Sequence, residues 1–143
     1  MRLWHYQIIP VLPKDMLVSQ WRECIAIKRQ WEKGTLKHRL VSYVKNYEPE
    51  CFVSYVYLVA KEMVKRNIKY QSKYYDEIEN MCTYGRLTIF DVSDYQKYKE
   101  HNKRYLLQNY YNLQEKYDRG IISKKEWKKI EDFYNNIFLK EVD

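Results

Sequence analysis

The chain has 143 residues, which suits one domain, and its 26 Lys and Arg residues outnumber its 19 Asp and Glu residues. The formal net charge of +7 is concentrated at the start, because residues 1–47 hold 9 basic and 3 acidic residues. No apolar stretch is long enough to span a bilayer or to form the core of a signal peptide, so we expect neither a membrane protein nor a secreted precursor. The uneven charge predicts that the N-terminal third meets a polyanion or an acidic surface.

The cysteine, glycine and histidine content argues against several kinds of site. Cys24, Cys51 and Cys82 are odd in number and lack C-x-x-C spacing, so they indicate reduced thiols in an intracellular protein. With three glycines and three prolines, the chain has no glycine-rich phosphate loop and does not suit a turn-rich β fold. The three histidines are widely spaced, so we expect no metal site.

The predicted elements are a short arm followed by four helices. The arm covers residues 1–12, is largely apolar and contains Pro10. Apolar residues at helical spacing predict helices at about 13–31, 49–67, 95–118 and 123–139. Pro13 and Pro49 suit the first turns of the first two, and the capping box Ser123-Lys124-Lys125-Glu126 starts the last. The fold class is therefore all-α, in a single domain of residues 1–143.

Residues 68–93 carry weaker signals between the second and third predicted helices. We expect an irregular segment there, with a helical turn near Tyr74–Met81. The short stretch Leu87–Val92 suits an extended conformation.

A carboxylate inside the basic segment is the strongest local signal for chemistry. Glu23 follows Arg22 on the first predicted helix, at the border of the apolar face, and basic residues come after it at Lys28, Arg29, Lys33, Lys37 and Arg39. A single carboxylate among phosphate-binding cations would repel a polyanion, so its presence favours a chemical role. The simpler alternative is a surface ion pair of Glu23 with Arg22 or Arg29.

The opening of the chain, MRLWHYQIIPVLPKDMLVSQWRECIAI, also carries a family resemblance. Together with KHRLVSYVKNY and the helix around LVAKEMVKRN, it resembles the pyrimidine-dimer DNA glycosylase family of the endonuclease V type, best over residues 1–70. The resemblance implies a compact helical protein whose N-terminal segment threads between helices. It also implies a DNA glycosylase with AP-lyase activity on damaged pyrimidines in duplex DNA, which needs no cofactor.

The family mechanism implies roles for individual residues. A free N-terminal α-amine attacks C1′ of the damaged nucleotide, the base leaves, and an imine joins enzyme and sugar before β-elimination cuts the strand. Amines of this kind titrate near neutral pH, well below lysine side chains, so a useful fraction is neutral. The Arg-Glu pair of the family motif falls on Arg22 and Glu23, which implies Glu23 as the catalytic carboxylate and Arg22 as its DNA-facing neighbour.

Two positions depart from the family pattern. The phage-type enzyme has a small hydroxyl residue after the initiator methionine, whereas this chain has Arg2. Because methionine is usually retained before a large side chain, the reactive amine is expected to be that of Met1, or that of Arg2 if Met1 is removed. The family's second arginine, three residues after the glutamate, is replaced by Ala26, with Lys28 and Arg29 as candidate substitutes.

The predicted partner is damaged double-stranded DNA, and several residues have two interpretations towards it. His5 either approaches DNA or is a buried, hydrogen-bonded histidine, and His38 either contacts phosphate or is an ordinary exposed loop residue. Residues Tyr95–Tyr105 either stack on bases or form a solvated helix. The predicted DNA-binding set is Arg2, His5, Lys28, Arg29, Lys37, His38 and Arg39.

Two other functions stay open beside the enzyme. A DNA-binding relative without catalysis is motivated by the residues at positions 2 and 26, and a basic helical module could meet an acidic protein instead. For the glycosylase we expect a monomer in the bacterial cytoplasm, associated with the nucleoid.

Overall fold

The computed structural model describes residues 1–82 and 95–139. Within these ranges the fold is all-α, as predicted, and contains no strand. Two 3-10 helices cover Tyr6–Val11 and Ser42–Asn46, and the α-helices are α1 (Lys14–Lys33), α2 (Pro49–Lys65), α3 (Ser72–Glu79), α4 (Lys103–Asp118) and α5 (Lys124–Leu139). The predicted extended stretch Leu87–Val92 lies outside the described residues.

Local sequence signals set several helix ends. α1 ends at Gly34, whose φ of 71° is the left-handed conformation that favours glycine at this position. α5 begins with the capping box: Ser123 Oγ accepts a hydrogen bond from Glu126 N at 3.2 Å, and Glu126 Oε1 accepts one from Ser123 N at 3.3 Å. Glu126 Oε2 also accepts a hydrogen bond from Lys14 N at 3.2 Å, which ties the start of α1 to α5.

Several helix boundaries differ from the predicted ones. α1 runs to Lys33 rather than to residue 31. α2 ends at Lys65 rather than at residue 67, because Asn67 adopts a left-handed φ of 59° that cannot continue a helix. In the region predicted to hold a helical turn at Tyr74–Met81, the short helix α3 begins earlier, at Ser72.

The largest difference is the start of the third long helix, which begins at Lys103 and not at residue 95. The Asn102 side chain accepts a hydrogen bond from Tyr105 N at 2.9 Å and so caps α4. Before this cap the chain bends, with Tyr98 and His101 buried in the core. Tyr98 fits the spacing of the helix, but it is buried from a loop, which apolar periodicity cannot distinguish from a helical position.

The N-terminal arm is part of the hydrophobic core. It packs between the long helices and buries Leu3, Trp4, Ile8, Ile9 and Leu12. The helices enclose it with side chains that recur at helical spacing, among them Leu17, Trp21, Cys24, Phe52, Val56, Val59, Leu106 and Leu113. The start of the chain is therefore held inside the fold rather than left as a free end.

Side chains satisfy the backbone polar groups of the buried arm. Arg66, just after α2, donates hydrogen bonds to the carbonyl oxygens of Leu12 at 2.6 Å and Ile9 at 3.3 Å. From α4, Tyr105 donates its hydroxyl hydrogen to Leu3 O at 2.6 Å. Because an unpaired buried carbonyl is costly, these bonds are a condition for burying an irregular segment.

Two buried histidines hold the next part of the arm. His101 Nδ1 accepts a hydrogen bond from Tyr6 N at 3.2 Å, so the neutral ring carries its proton on Nε2, which lies 2.8 Å from the Tyr43 hydroxyl oxygen. His5 is 2 % exposed and its Nδ1 accepts a hydrogen bond from Gln7 N at 3.1 Å. Of the two interpretations of His5, the buried, hydrogen-bonded one matches the structure.

Burial also keeps both imidazoles neutral. Desolvation lowers the pKa of His5 to about 4 and that of His101 to about 3. The two rings stack with centroids 5.4 Å apart, so a charge on one would also repel a charge on the other. The arm is therefore packed against a pair of histidines that the fold holds uncharged.

Acidification is expected to destabilise the protein through these two histidines. An unfolded histidine takes up a proton near pH 6.5, whereas the folded rings stay neutral until about pH 4 and about pH 3, so the unfolded state binds more protons in that window. The free energy of unfolding should therefore fall as the pH drops from about 7 to about 4, by at most about 1.4 kcal/mol per pH unit for each ring. Urea unfolding at several pH values measures this slope.

Two variants isolate the contribution of His101 to that slope. His101→Asn keeps an acceptor near the Nδ1 position and removes the titrating group, so the slope should flatten. His38→Asn, at an exposed histidine, is the matched control and should keep the slope of the wild type. An unchanged slope in His101→Asn would show that His101 does not titrate with folding.

Candidate active site

A polar cleft of about 290 Å³ lies where the start of the arm meets α1 and the end of α4. The residues that line it come from these three parts of the chain: Met1, Arg2, Trp4, Met16, Ser19, Gln20, Glu23 and Lys116. The fold thus brings the first residue of the sequence and the carboxylate of the Arg-Glu pair into one cleft.

Glu23 projects from α1 towards the backbone of the arm and is half-buried. Its Oε2 accepts a long hydrogen bond from Arg2 N at 3.5 Å and another from Gln20 Nε2 at 3.3 Å. Gln20 and Glu23 are three residues apart, so the helix places them on the same face. The carboxylate is therefore oriented by the arm on one side and by a glutamine of its own helix on the other.

Gln20 is fully buried between the arm and α2. Its Oε1 accepts hydrogen bonds from Trp4 N at 2.8 Å and from the Tyr55 hydroxyl at 3.1 Å, and its Nε2 also donates to Arg2 O at 2.9 Å. The Tyr55 hydroxyl shares its one hydrogen with Trp4 O, which lies closer, at 2.5 Å. Burial raises the pKa of Tyr55 well above its ordinary value, so the hydroxyl stays a neutral donor at physiological pH.

Two cations share the cleft with Glu23. The Arg2 guanidinium donates to Asn112 Oδ1 at 2.6 Å and lies over the Trp4 ring, 5.0 Å from its centroid, while Lys116 comes from the last turn of α4. Sequence reasoning did not single out Lys116, because nothing local connects it with the start of the chain. Gln20 was also missed, although its i, i+3 spacing from Glu23 is a signal that could have identified it.

The other predicted residues on α1 differ in their surroundings. Arg22 is exposed and Ala26 is partly exposed. Lys28 is buried and pairs with Glu32 at 2.9 Å, and Arg29 pairs with Glu77 of α3 at 3.9 Å. In the part of the chain that the structure describes, Glu23 has no ion pair with Arg22 or Arg29, which was the simpler alternative for it.

The remaining predicted phosphate contacts lie in the loop after α1. Lys37, His38 and Arg39 are all exposed there. In residues 1–82 and 95–139, no three His, Cys, Asp or Glu side chains are grouped as a metal site. No helix in the same ranges has the length and the apolar character needed to cross a bilayer.

Tyr55→Phe is expected to lower the free energy of unfolding by about 1–3 kcal/mol. The substitution leaves the Trp4 carbonyl oxygen buried without the donor that now lies 2.5 Å away, and it removes one of the two bonds to Gln20 Oε1. Urea unfolding at neutral pH measures the loss. Tyr111→Phe, at a tyrosine that is 58 % exposed, is the matched control and should change stability by less than about 0.5 kcal/mol. Equal stability of the two variants would contradict the inferred role of the hydroxyl.

Comparison with known proteins relates this chain to one protein family. The family profile described as pyrimidine dimer DNA glycosylase matches residues 1–76. This segment contains the arm, α1 and α2, and with them the cleft residues up to Glu23, whereas Lys116 lies outside it. Searches among curated proteins and among solved structures found no match. Since the profile covers more than half of the sequence, the chain belongs to the pyrimidine dimer DNA glycosylase family.

Proposed function

We propose that this protein is a DNA glycosylase with AP-lyase activity that acts on damaged pyrimidines in duplex DNA. The observation that supports it best is the 3.5 Å separation of Arg2 N and Glu23 Oε2, which brings the start of the chain and a carboxylate together in one cleft. The nucleophile is the N-terminal α-amine, Glu23 is the catalytic carboxylate, and Arg22 faces the DNA beside it.

The reaction proceeds through a covalent imine between the chain and the sugar. The amine nitrogen bonds to C1′ of the damaged nucleotide as the glycosidic bond breaks and the base departs with a proton. Glu23 stabilises the positive charge that develops on the sugar ring. The sugar ring then opens to the imine, a proton leaves C2′, and the bond to the 3′ phosphate breaks, with Glu23 serving in proton transfer.

The reactive amine is that of Met1, or that of Arg2 if Met1 is removed. Arg2 N already lies next to the carboxylate, and a retained methionine moves the amine by at most about 3.5 Å along the chain. Met1 lines the same cleft as Glu23, which supports the reaction in either case. Since the cleft is polar and lies at the surface, it reaches a nucleotide that has left the base stack.

The DNA-binding surface extends from the cleft along the exposed basic residues. Arg22, Lys37, His38 and Arg39 are free to meet phosphates, and Arg2 contributes from inside the cleft. Lys28 and Arg29 each form an ion pair with an acidic residue of the protein, so each contributes less charge to phosphate binding. His5 is buried and holds the arm instead of contacting DNA. Because one chain supplies the amine, the carboxylate and the basic surface, the enzyme acts as a monomer.

Borohydride trapping tests the covalent mechanism. Wild-type protein incubated with duplex DNA that contains an abasic site should form a stable adduct, because borohydride reduces the imine to an amine. Peptide mass spectrometry should locate the adduct on Met1, or on Arg2 in protein that lacks Met1. An adduct on a lysine side chain would contradict the proposed nucleophile, and the absence of both adduct and incision would leave a DNA-binding relative without catalysis.

Glu23→Gln tests the carboxylate in the same assays. The rate of base release from ultraviolet-irradiated duplex DNA should fall by about 10²–10⁴-fold, because a positioned acid–base group contributes that much. Asp15→Asn removes an exposed carboxylate of the same helix and is the matched control, which should keep the wild-type rate. Equal rates for Glu23→Gln and the wild type would exclude Glu23 from the chemistry.

The salt dependence of DNA binding tests the basic surface. Each phosphate contact that is lost should reduce the slope of log K against log [salt] by about 1, so Arg39→Gln should bind duplex DNA more weakly and with a shallower slope. Lys128→Gln removes an exposed cation of α5, which pairs with Asp132 at 3.5 Å, and should leave the slope unchanged. A slope that is small in the wild type would favour an acidic protein as the partner of the basic segment.

A further inference from the structure

We propose that Gln20 is a positioning residue for the reaction, which holds Glu23 and the first residues of the chain in one fixed arrangement. The inference rests on the proposed glycosylase function. It adds a residue outside the Arg-Glu pair, one whose side chain is fully buried and which acts through Glu23 and the start of the chain.

The first observation is that every hydrogen-bonding position of the Gln20 amide is used. An amide side chain has two donor hydrogens and two acceptor lone pairs. Here Oε1 accepts from Trp4 N at 2.8 Å and, at 3.1 Å, from the Tyr55 hydroxyl, which shares its one hydrogen between Oε1 and Trp4 O. Nε2 donates to Arg2 O at 2.9 Å and to Glu23 Oε2 at 3.3 Å. These partners determine the orientation of the amide. A flipped amide would place its NH2 group against the N–H of Trp4 and its oxygen against the oxygens of Arg2 and Glu23.

The second observation is the burial of this side chain. Gln20 is 0 % exposed and stands on the apolar side of α1 with Leu17, Trp21 and Cys24. A position that only filled space there would suit an apolar side chain, because a buried amide is favourable only with partners. The partners it has are the backbone of the arm and the carboxylate, so its role is to join those two.

The third observation is that other contacts to the arm do not reach the carboxylate. Tyr105 bonds to Leu3 O and Asn109 bonds to His5 N, both from α4. Among the side chains that the structure describes, Gln20 alone hydrogen-bonds to both the arm and Glu23. It therefore controls the relative position of the chain start and the carboxylate, and a displacement of about 1 Å in such a pair can cost about 10²-fold in rate.

Gln20→Met tests this role, because it keeps the length of the side chain and removes all four hydrogen bonds. The readouts are the single-turnover rate of strand cleavage at an abasic site and the Kd for a duplex with an uncleavable abasic analogue. The cleavage rate should fall by about 10–100-fold while Kd changes by less than about 3-fold, because the amide does not touch DNA. Tyr105→Phe, which removes an arm contact that does not involve Glu23, is the matched control and should keep the rate within about 3-fold.

Gln20→Glu provides a second test through the pH profile. A neutral carboxyl group accepts as the amide oxygen does and donates one hydrogen bond in place of the two that the amide donates, whereas an ionised one cannot donate and brings a second negative charge towards Glu23. The cleavage rate of Gln20→Glu relative to the wild type should therefore rise by at least about 10-fold as the pH falls from about 8 to about 5.5. The corresponding ratio for Gln20→Met should not depend on pH. A merely structural role would change the folded fraction of a variant but not the cleavage rate of its folded molecules, so it would leave both ratios flat when the rates are expressed per folded molecule.

The outcomes separate this inference from the proposed function. If the wild type cleaves abasic duplex and a folded Gln20→Met cleaves as fast, the positioning role is wrong and the glycosylase proposal stands. If Gln20→Met does not fold, the pH ratio of Gln20→Glu decides, and a flat ratio overturns the role. A wild type that neither cleaves nor is trapped would overturn the proposed function, and the positioning role with it.

Discussion

The burial of the N-terminal arm is the constraint on which the rest of this structure depends. An irregular segment inside a helical core has no neighbouring strand to pair with, and each backbone group left alone there would cost about 1–3 kcal/mol. Side chains from all around the arm meet that need: Gln20, Tyr55, Arg66, Tyr105 and Asn109. These side chains belong to α1, to α4, and to α2 with the residue that follows it. The arm therefore fixes the three helices relative to one another, and the helices hold the start of the chain in one defined position.

Buried tyrosines supply many of the hydrogen bonds that such a core needs. The chain has 16 of them, and the buried ones combine a large apolar ring with a hydroxyl that can satisfy a carbonyl. Burial raises the pKa values of Tyr55 and Tyr105, so these hydroxyls remain neutral donors to Trp4 O and Leu3 O. The neutral His101 beside them has the complementary role, because its Nδ1 accepts a hydrogen bond from Tyr6 N. The imidazole and hydroxyl groups that contact the arm are thus uncharged, whereas the charged side chains of Arg2, Glu23 and Lys116 line the cleft.

Local pattern was sufficient to predict the helices but not the way they assemble. The apolar stripe of α1, Pro49 and the capping box at Ser123 each act within a turn or two of the chain, so their effects can be predicted from neighbouring residues. The late start of α4 depends on Tyr98 and His101 packing against distant parts of the core, which no local spacing records. In the site, spacing indicated only a carboxylate in a basic segment. Its nearness to the chain start was implied by the family resemblance, and Lys116 joins the cleft through the tertiary fold alone.

The cations of the cleft come from parts of the chain that only the tertiary fold brings together. Ala26 leaves α1 without a charge where the family pattern has its second arginine, and the next two basic side chains of that helix are paired with acidic partners. The positive groups that do line the cleft with Glu23 are Arg2 from the arm and Lys116 from α4. They are in place only while the arm is seated and α4 is packed, so a local opening of the arm would remove the amine and a cation at once. The proposed activity therefore depends on the seating of the arm as a whole, to which several buried hydrogen bonds contribute together.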